Sequence, residues 1–183
     1  MDTRFRGYDS GGGAMNALET IFSRRSVRLY TPKPVSHESI HDILKAAMSA
    51  PSAGNERPWH FIVLTDRALL DEIPKFHPYS AMLKYAQAAI LVCGDLTLER
   101  HAGYWVLDCA AATENILLAA HAKGLGAVWC GVYPTEDRVQ NLRRLLKLAE
   151  HVVPFSLVPL GFPAEVKETR DRYDGSRVHE NKW

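Results

Sequence analysis

Residues 104–123 read YWVLDCAAATENILLAAHAK, the longest helix-forming stretch in the chain and the one that most restricts its fold. Ala and Leu dominate it, and both are strong helix formers. Gly124 follows, where a helix closes readily in the left-handed conformation. Small residues fall on several of its faces, so the helix is expected to be buried at a close helix–helix contact. A second helix is expected over SHESIHDILKAAMSA (36–50), where Ile40, Ile43, Leu44, Ala47 and Met48 form one apolar stripe. Ser36 suits its N-cap, Val35 and Ile40 have staple spacing, and Pro51 ends it.

Shorter helices are expected at Ala17–Phe22, around Leu69–Ile73 and Ser80–Tyr85, and from a Thr135 cap through Leu146. Four strands separate them: HFIVL (60–64), AAILVCG (88–94), AVWCGV (127–132) and PFSLVPLG (154–161). The order predicts an α+β domain with a central sheet flanked by helices.

The chain has 183 residues, 46% of them hydrophobic, enough to bury a real core as one domain. Its 22 Lys and Arg nearly balance 21 Asp and Glu, so no global basic field exists for nucleic acid. No apolar run has membrane-spanning length. Residues 1–14 are polar and Gly-rich, and read as a disordered leader or the remnant of an expression tag, preceding a domain over 15–183. Cys93, Cys109 and Cys130 are odd in number and lack C-x-x-C spacing, which argues against disulfides and thiolate zinc. They point to a reducing, cytoplasmic setting.

HESIH (37–41) matches the H-E-x-x-H zinc pattern, with His37 and His41 as ligands and Glu38 as base. The context is a capped helix with His37 at its fraying first position, and no third ligand is evident. The simpler reading is a surface helix whose Glu38 favours the positive end of the dipole; a zinc hydrolase is the remote alternative.

RRSVR (24–28) and PSAGNERPW (51–59) are the informative stretches. Forked guanidinium donors around a hydroxyl suit a phosphate, although a charge run is also an ordinary solvated face. Alternation would put Arg24, Ser26 and Arg28 on one side, with Arg25 and Val27 on the other. In the second stretch, Ser52 and Asn55 offer groups that orient a heterocycle, or else bond their own backbone in a turn.

Together with DCAAATENILLAAHAKGLGAVWCGVYP (108–134), these two segments in this order resemble the nitroreductase family of FMN-dependent oxidoreductases, short single-domain type. The resemblance runs from about Met15 to the C-terminus. It implies a central mixed β-sheet flanked by helices, in an interlocked homodimer with FMN at the subunit interface. It implies that Arg24, Ser26 and Arg28 hold the FMN phosphate and ribityl chain, with Arg25 reaching the ring or ribityl oxygens. Pro51, Ser52, Ala53 and Asn55 would border the ring from the partner subunit. Trp129, Cys130 and Gly131 would lie along it, and Arg170 and Arg172 would return to the phosphate, with Arg177 as their rival.

Arg57 stands where the family often has Gln, and faces either the open side of the flavin or solvent. Cys130 beside the ring is either a core residue or a redox group. The implied reaction is ping-pong: NADH or NADPH delivers hydride to flavin N5, and a nitroaromatic, quinone or activated enone then takes the electrons. No side-chain nucleophile is required. The alternative from another class is a flavin-binding storage or sensing protein with little turnover.

Overall fold

The computed structural model describes residues 16–183. The leader expected over 1–14 lies outside them. In chain order the elements are α1 (Ala17–Ser23), α2 (His37–Met48), β1 (Trp59–Leu64), α3 (Arg67–Glu72), β2 (Ala88–Asp95), α4 (Trp105–Ala122), β3 (Gly126–Ala127), β4 (Cys130–Gly131), α5 (Glu136–Leu146) and β5 (Val152–Gly161). The sheet order is β1-β2-β5-β3, with β4 also paired to β5. These ladders are antiparallel, and a parallel bridge from Ser26 to Ala127 makes the sheet mixed.

Every residue of β2 is buried, as expected of a central strand covered on both faces. Alternation sends Ile90 and Val92 to one apolar layer and Ala89, Leu91 and Cys93 to the other. The first layer packs α2 and α4 on the sheet, with Ile40, Ile43 and Ala47 against Ala112, Ile116 and Ala120. The small faces of α4 thus meet α2, where Asn115 Nδ2 donates to the Ala46 carbonyl at 2.8 Å and Lys123 pairs with Asp42 at 2.6 Å. Gly124, at φ 72°, closes α4 with the Leu125 amide donating to the Ala120 carbonyl at 2.8 Å. The second layer covers the opposite face with α3, α5 and the turns between α3 and β2.

Ser36 caps α2 by accepting the Ser39 amide at 3.1 Å, and Val35 packs on the layer that contains Ile40. His37, Glu38 and His41 all stand exposed on this helix.

Three local expectations change. The strand expected over 127–132 is split into β3 and β4, because Val128 turns into the second layer while Trp129 leans edge-on to Phe155, 5.7 Å between centroids. Thr135 makes no side-chain cap; Glu136 and Asp137 in the first turn of α5 serve its positive end. The piece expected around Ser80–Tyr85 is a single 3-10 turn, Ala81–Lys84.

Residues 24–31 run extended beside β3 and then beside the start of the tail. The Val27 amide donates to Ala127 O at 3.0 Å, the Thr31 amide to Phe162 O at 2.8 Å, and the Ala164 amide to Leu29 O at 2.9 Å. This path brings the N-terminal arginines to the charged tail.

Candidate functional site

Two clefts open along the 25–28 segment. The first, about 450 Å³, lies between Arg25, Ser26 and Arg28 on one side and Lys167, Glu168, Arg170 and Arg172 of the tail on the other. The second, about 440 Å³, is walled by Pro78, Tyr79, Met82, Trp129, Cys130 and Gly131 and again reaches Arg28. One is cationic and the other largely apolar and aromatic, and they share an arginine. Such a pair suits an elongated ligand with an anionic end and a flat end.

The cations of the first cleft divide by what already occupies them. Arg25 is spent on the fold: its guanidinium donates to the carbonyls of Phe22 (2.8 Å), Arg24 (2.7 Å), Glu168 (3.1 Å) and Arg170 (3.3 Å). It therefore ties α1 to the tail. Burial, then the charges of Arg172 and Arg24, pull its pKa below the ordinary guanidinium value. Lys167 pairs with Glu165 at 2.5 Å, and the other Glu165 oxygen accepts the Arg28 amide at 2.8 Å. Arg28, Arg170 and Arg172 have no guanidinium hydrogen bond or ion pair among the described residues. Three uncommitted guanidiniums around one hydroxyl match a dianionic phosphate.

The alternation expected for RRSVR is shifted. Arg24 is the C-cap of α1 and turns to Glu114 of α4 (3.4 Å), so Arg25 and not Arg24 joins Ser26 and Arg28 at the cleft. The extended stretch begins one residue later than alternation from Arg24 requires. Arg170 and Arg172 line the cleft together with Ser26 and Arg28. Arg177 is instead held by Asp174 at 3.0 Å.

Trp129, Cys130 and Gly131 wall the second cleft together. The Gly131 carbonyl is taken twice, by His77 Nε2 and by an Arg138 nitrogen, each at 2.9 Å. Arg138 also lies 5.1 Å from the Tyr79 ring centroid. Sequence reasoning missed this wall of Pro78, Tyr79 and Met82 and its two anchors. No local sequence pattern marked it: Tyr79 is 68% exposed, and only the fold brings it beside Trp129.

The Cys130 thiol is buried, contacts the Tyr79 carbonyl at 3.4 Å and Met82 Sδ at 3.9 Å, and is pushed up to about 11 by burial. Burial also pushes Cys93 up to about 12 and raises Cys109. A thiolate is the reactive form. The native protein is therefore expected to resist thiol reagents at mildly alkaline pH and to release all three thiols on unfolding. A thiol titration with and without denaturant checks this; prompt labelling of Cys130 in the folded state would restore a redox role for it.

Pro51, Ser52, Ala53 and Asn55 line neither cleft of their own chain. The loop carrying them is tightly formed. Gly54, Asn55 and Arg57 have φ of 51°, 56° and 47°, and Ser52 Oγ accepts the Arg57 amide at 3.0 Å. The Ser52 hydroxyl is thus engaged with its own backbone. The Asn55 amide group and the Arg57 guanidinium are exposed, with no bond among the described residues. Backbone in sparsely populated regions persists where surrounding structure over-determines it.

The fold and its paired clefts define a small α+β protein with an anion pocket beside an aromatic one. The chain belongs to the Nitroreductase family, whose profile matches residues 21–91 and 77–162. It is 57% identical, over 92% of its length and 88% of the relative's, to a Methanothermobacter thermautotrophicus protein provisionally named NADH dehydrogenase/NAD(P)H nitroreductase. A crystal structure from Bacteroides thetaiotaomicron with the same provisional name superposes with a TM-score of 0.88. It shares 46% identity, covering 94% of this chain and 100% of that one. A provisionally named nitroreductase from Desulfovibrio desulfuricans, crystallised in complex with FMN, superposes with a TM-score of 0.80 at 30% identity, covering 92% and 99%.

Proposed function

We propose that the chain is an FMN-dependent NAD(P)H oxidoreductase, with the phosphate in the cationic cleft and the ring toward the aromatic one. The observation that carries this is the set Arg28, Arg170 and Arg172, uncommitted and converging on a cleft that continues past Arg28 to Trp129. The relative crystallised with FMN and the NAD(P)H relative support the same reading.

Arg28, Arg170, Arg172 and Ser26 hold the phosphate and ribityl end. Arg25 keeps the tail in place so that Arg170 and Arg172 can do so. Trp129 and Gly131 border the ring, and the bonds from His77 and Arg138 to the Gly131 carbonyl fix that wall. FMN held there would supply the redox chemistry, accepting hydride from NADH or NADPH in one half-reaction and passing the electrons to a nitroaromatic, quinone or activated enone in another. The protein supplies position and fixed positive charge.

The second half of each site comes from a partner copy in an interlocked homodimer, whose Pro51–Asn55 loop meets the ring. Two features support association. Leu18, Ile21 and Phe22 form an exposed apolar stripe on α1, each at least half exposed. The tail beyond Phe162 also lies on the surface, with Val166, Tyr173 and Trp183 more than three-quarters exposed. Three buried, unpaired thiols are in keeping with a reducing, cytoplasmic location; no helix among the described residues is long and apolar enough to cross a membrane.

The absorption spectrum of the purified protein, before and after anaerobic NADH or NADPH, tests the cofactor and its redox competence together. The expected result is a flavin spectrum that bleaches rapidly. A protein that stays colourless after incubation with FMN defeats the proposal, and bound flavin that does not bleach indicates storage or sensing instead.

A further inference from the structure

Beneath the Pro51–Arg57 loop lie two buried acids on different elements. Glu56, in the loop, is 7% exposed, and Asp108, in the first turn of α4, is 4% exposed. Each binds backbone amides with one oxygen. Asp108 Oδ1 accepts the Ala53 amide at 3.0 Å; Glu56 Oε2 accepts those of Arg100 and His101 at 2.6 and 3.0 Å. The remaining oxygens, Glu56 Oε1 and Asp108 Oδ2, are buried with no hydrogen-bond donor among the described residues. The two carboxyl groups lie within side-chain hydrogen-bonding reach of each other.

Two buried carboxylates in contact cannot both stay ionised, because burial and like charge act in the same direction. A proton between Oε1 and Oδ2 supplies the missing donor for both. We propose that Glu56 and Asp108 share one proton and act as a positioning pair that latches the Pro51–Arg57 loop to α4, releasing it when that proton is lost as pH rises. Its consequence for the flavin ring rests on the function proposed above; the latch itself does not.

The proton resides mainly on Asp108. Burial, the adjacent Glu56 and the charge of Glu99 raise its pKa, against the opposing Ala53 amide. The Arg100 and His101 amides, Asp108 and the His101 ring outweigh burial and lower that of Glu56. Glu99 and His101, both on the turn before α4, are the titratable neighbours acting on the pair. The loop has reason to need a latch, with its three positive-φ residues. It is also closely fitted: a Cβ on Gly54 would stand 2.5 Å from His101 Nε2.

The raised group contributes stability in full below the ordinary aspartate range, and that contribution is lost as pH rises through its folded-state value. The lowered group contributes above the ordinary glutamate range and loses its contribution as pH falls. One proton therefore holds the loop between these limits.

Carbon NMR of the two side-chain carboxyls in the wild-type protein, as purified, tests this directly. One proton retained by the pair above the ordinary carboxylate range is expected; two independent titrations in the ordinary range overturn the proposal. Hydrogen-exchange protection of the Ala53 amide should fall about tenfold for each pH unit between the ordinary aspartate range and the pair's folded-state value, and level off above it. In Asp108→Asn the amide oxygen still accepts from Ala53 and the NH₂ replaces the shared proton, so that decline should vanish. Its persistence in Asp108→Asn overturns the proposal. Flavin reduction should slow over the same rise in pH, and that slowing should vanish in the same variant. A loop that titrates as described in a protein that takes no FMN would keep the latch and defeat only the proposed function.

Discussion

Arg28→Ala is expected to weaken FMN binding about ten- to a hundredfold, since a hydrogen bond to a charged group contributes about 1.5–3 kcal/mol. The melting temperature of the FMN-free protein should scarcely move. Arg28 is exposed and its guanidinium has no partner among the described residues. Only its backbone amide is engaged, by Glu165, and that bond survives the substitution. The loss should therefore fall on the ligand alone. Arg28→Lys retains the charge but not the fork, and should recover only part of the affinity.

Two neighbours separate this from a general effect of removing positive charge. Arg24→Ala breaks a partly exposed pair with Glu114 outside the cleft, and should leave affinity close to that of the wild type. Arg25→Ala removes the bonds that hold the carbonyls of Glu168 and Arg170, so it should loosen the tail first. Limited proteolysis near residue 170 then accompanies its loss of affinity. Fluorescence titration of FMN into the three variants distinguishes them. Equal losses in Arg24→Ala and Arg28→Ala would return RRSVR to an undifferentiated basic patch.

How far the site was legible depended on whether local sequence carried the cause. The α4 helix, its glycine stop and the buried β2 and β5 strands follow from composition and spacing, and stand within a residue or two of where those place them. Arg28 stood out within RRSVR, whereas Arg170 and Arg172 came from the family resemblance alone, since nothing in the tail's own sequence marks them among fourteen arginines. The register of RRSVR was not, since it depends on where α1 ends and on Glu114 lying ninety residues away. The break at Val128–Trp129 has the same character: six apolar residues in a row look like one strand until two layers compete for their side chains. The Glu56–Asp108 contact had a faint local signal, an Asp within an Ala- and Leu-rich buried helix. Its partner could be found only once the loop was folded over that helix.

Gly94→Ala is expected to destabilise the protein by about 1–3 kcal/mol, the usual cost of overpacking a filled core. Gly94 lies near the end of β2, where an added Cβ would stand 2.3 Å from Trp105 Cε3 and 2.9 Å from Cζ3. That ring cannot swing aside freely. Trp105 is 7% exposed and meets Tyr133 edge-on at 4.8 Å and Phe155 at 6.0 Å between centroids. Phe155 in turn supports Trp129 at 5.7 Å, on the wall of the aromatic cleft. One methyl group should thus lower the melting temperature by about 2–4 °C for each kcal/mol and displace the cleft wall as well. Thermal unfolding reads the first effect, and the visible spectrum of bound flavin reads the second. Trp105→Phe removes the atoms that collide, so Gly94→Ala should cost less in that background than alone. A double-mutant cycle measures the difference as a coupling energy. If the two substitutions simply add, the close approach of Gly94 to Trp105 is not what excludes a side chain there.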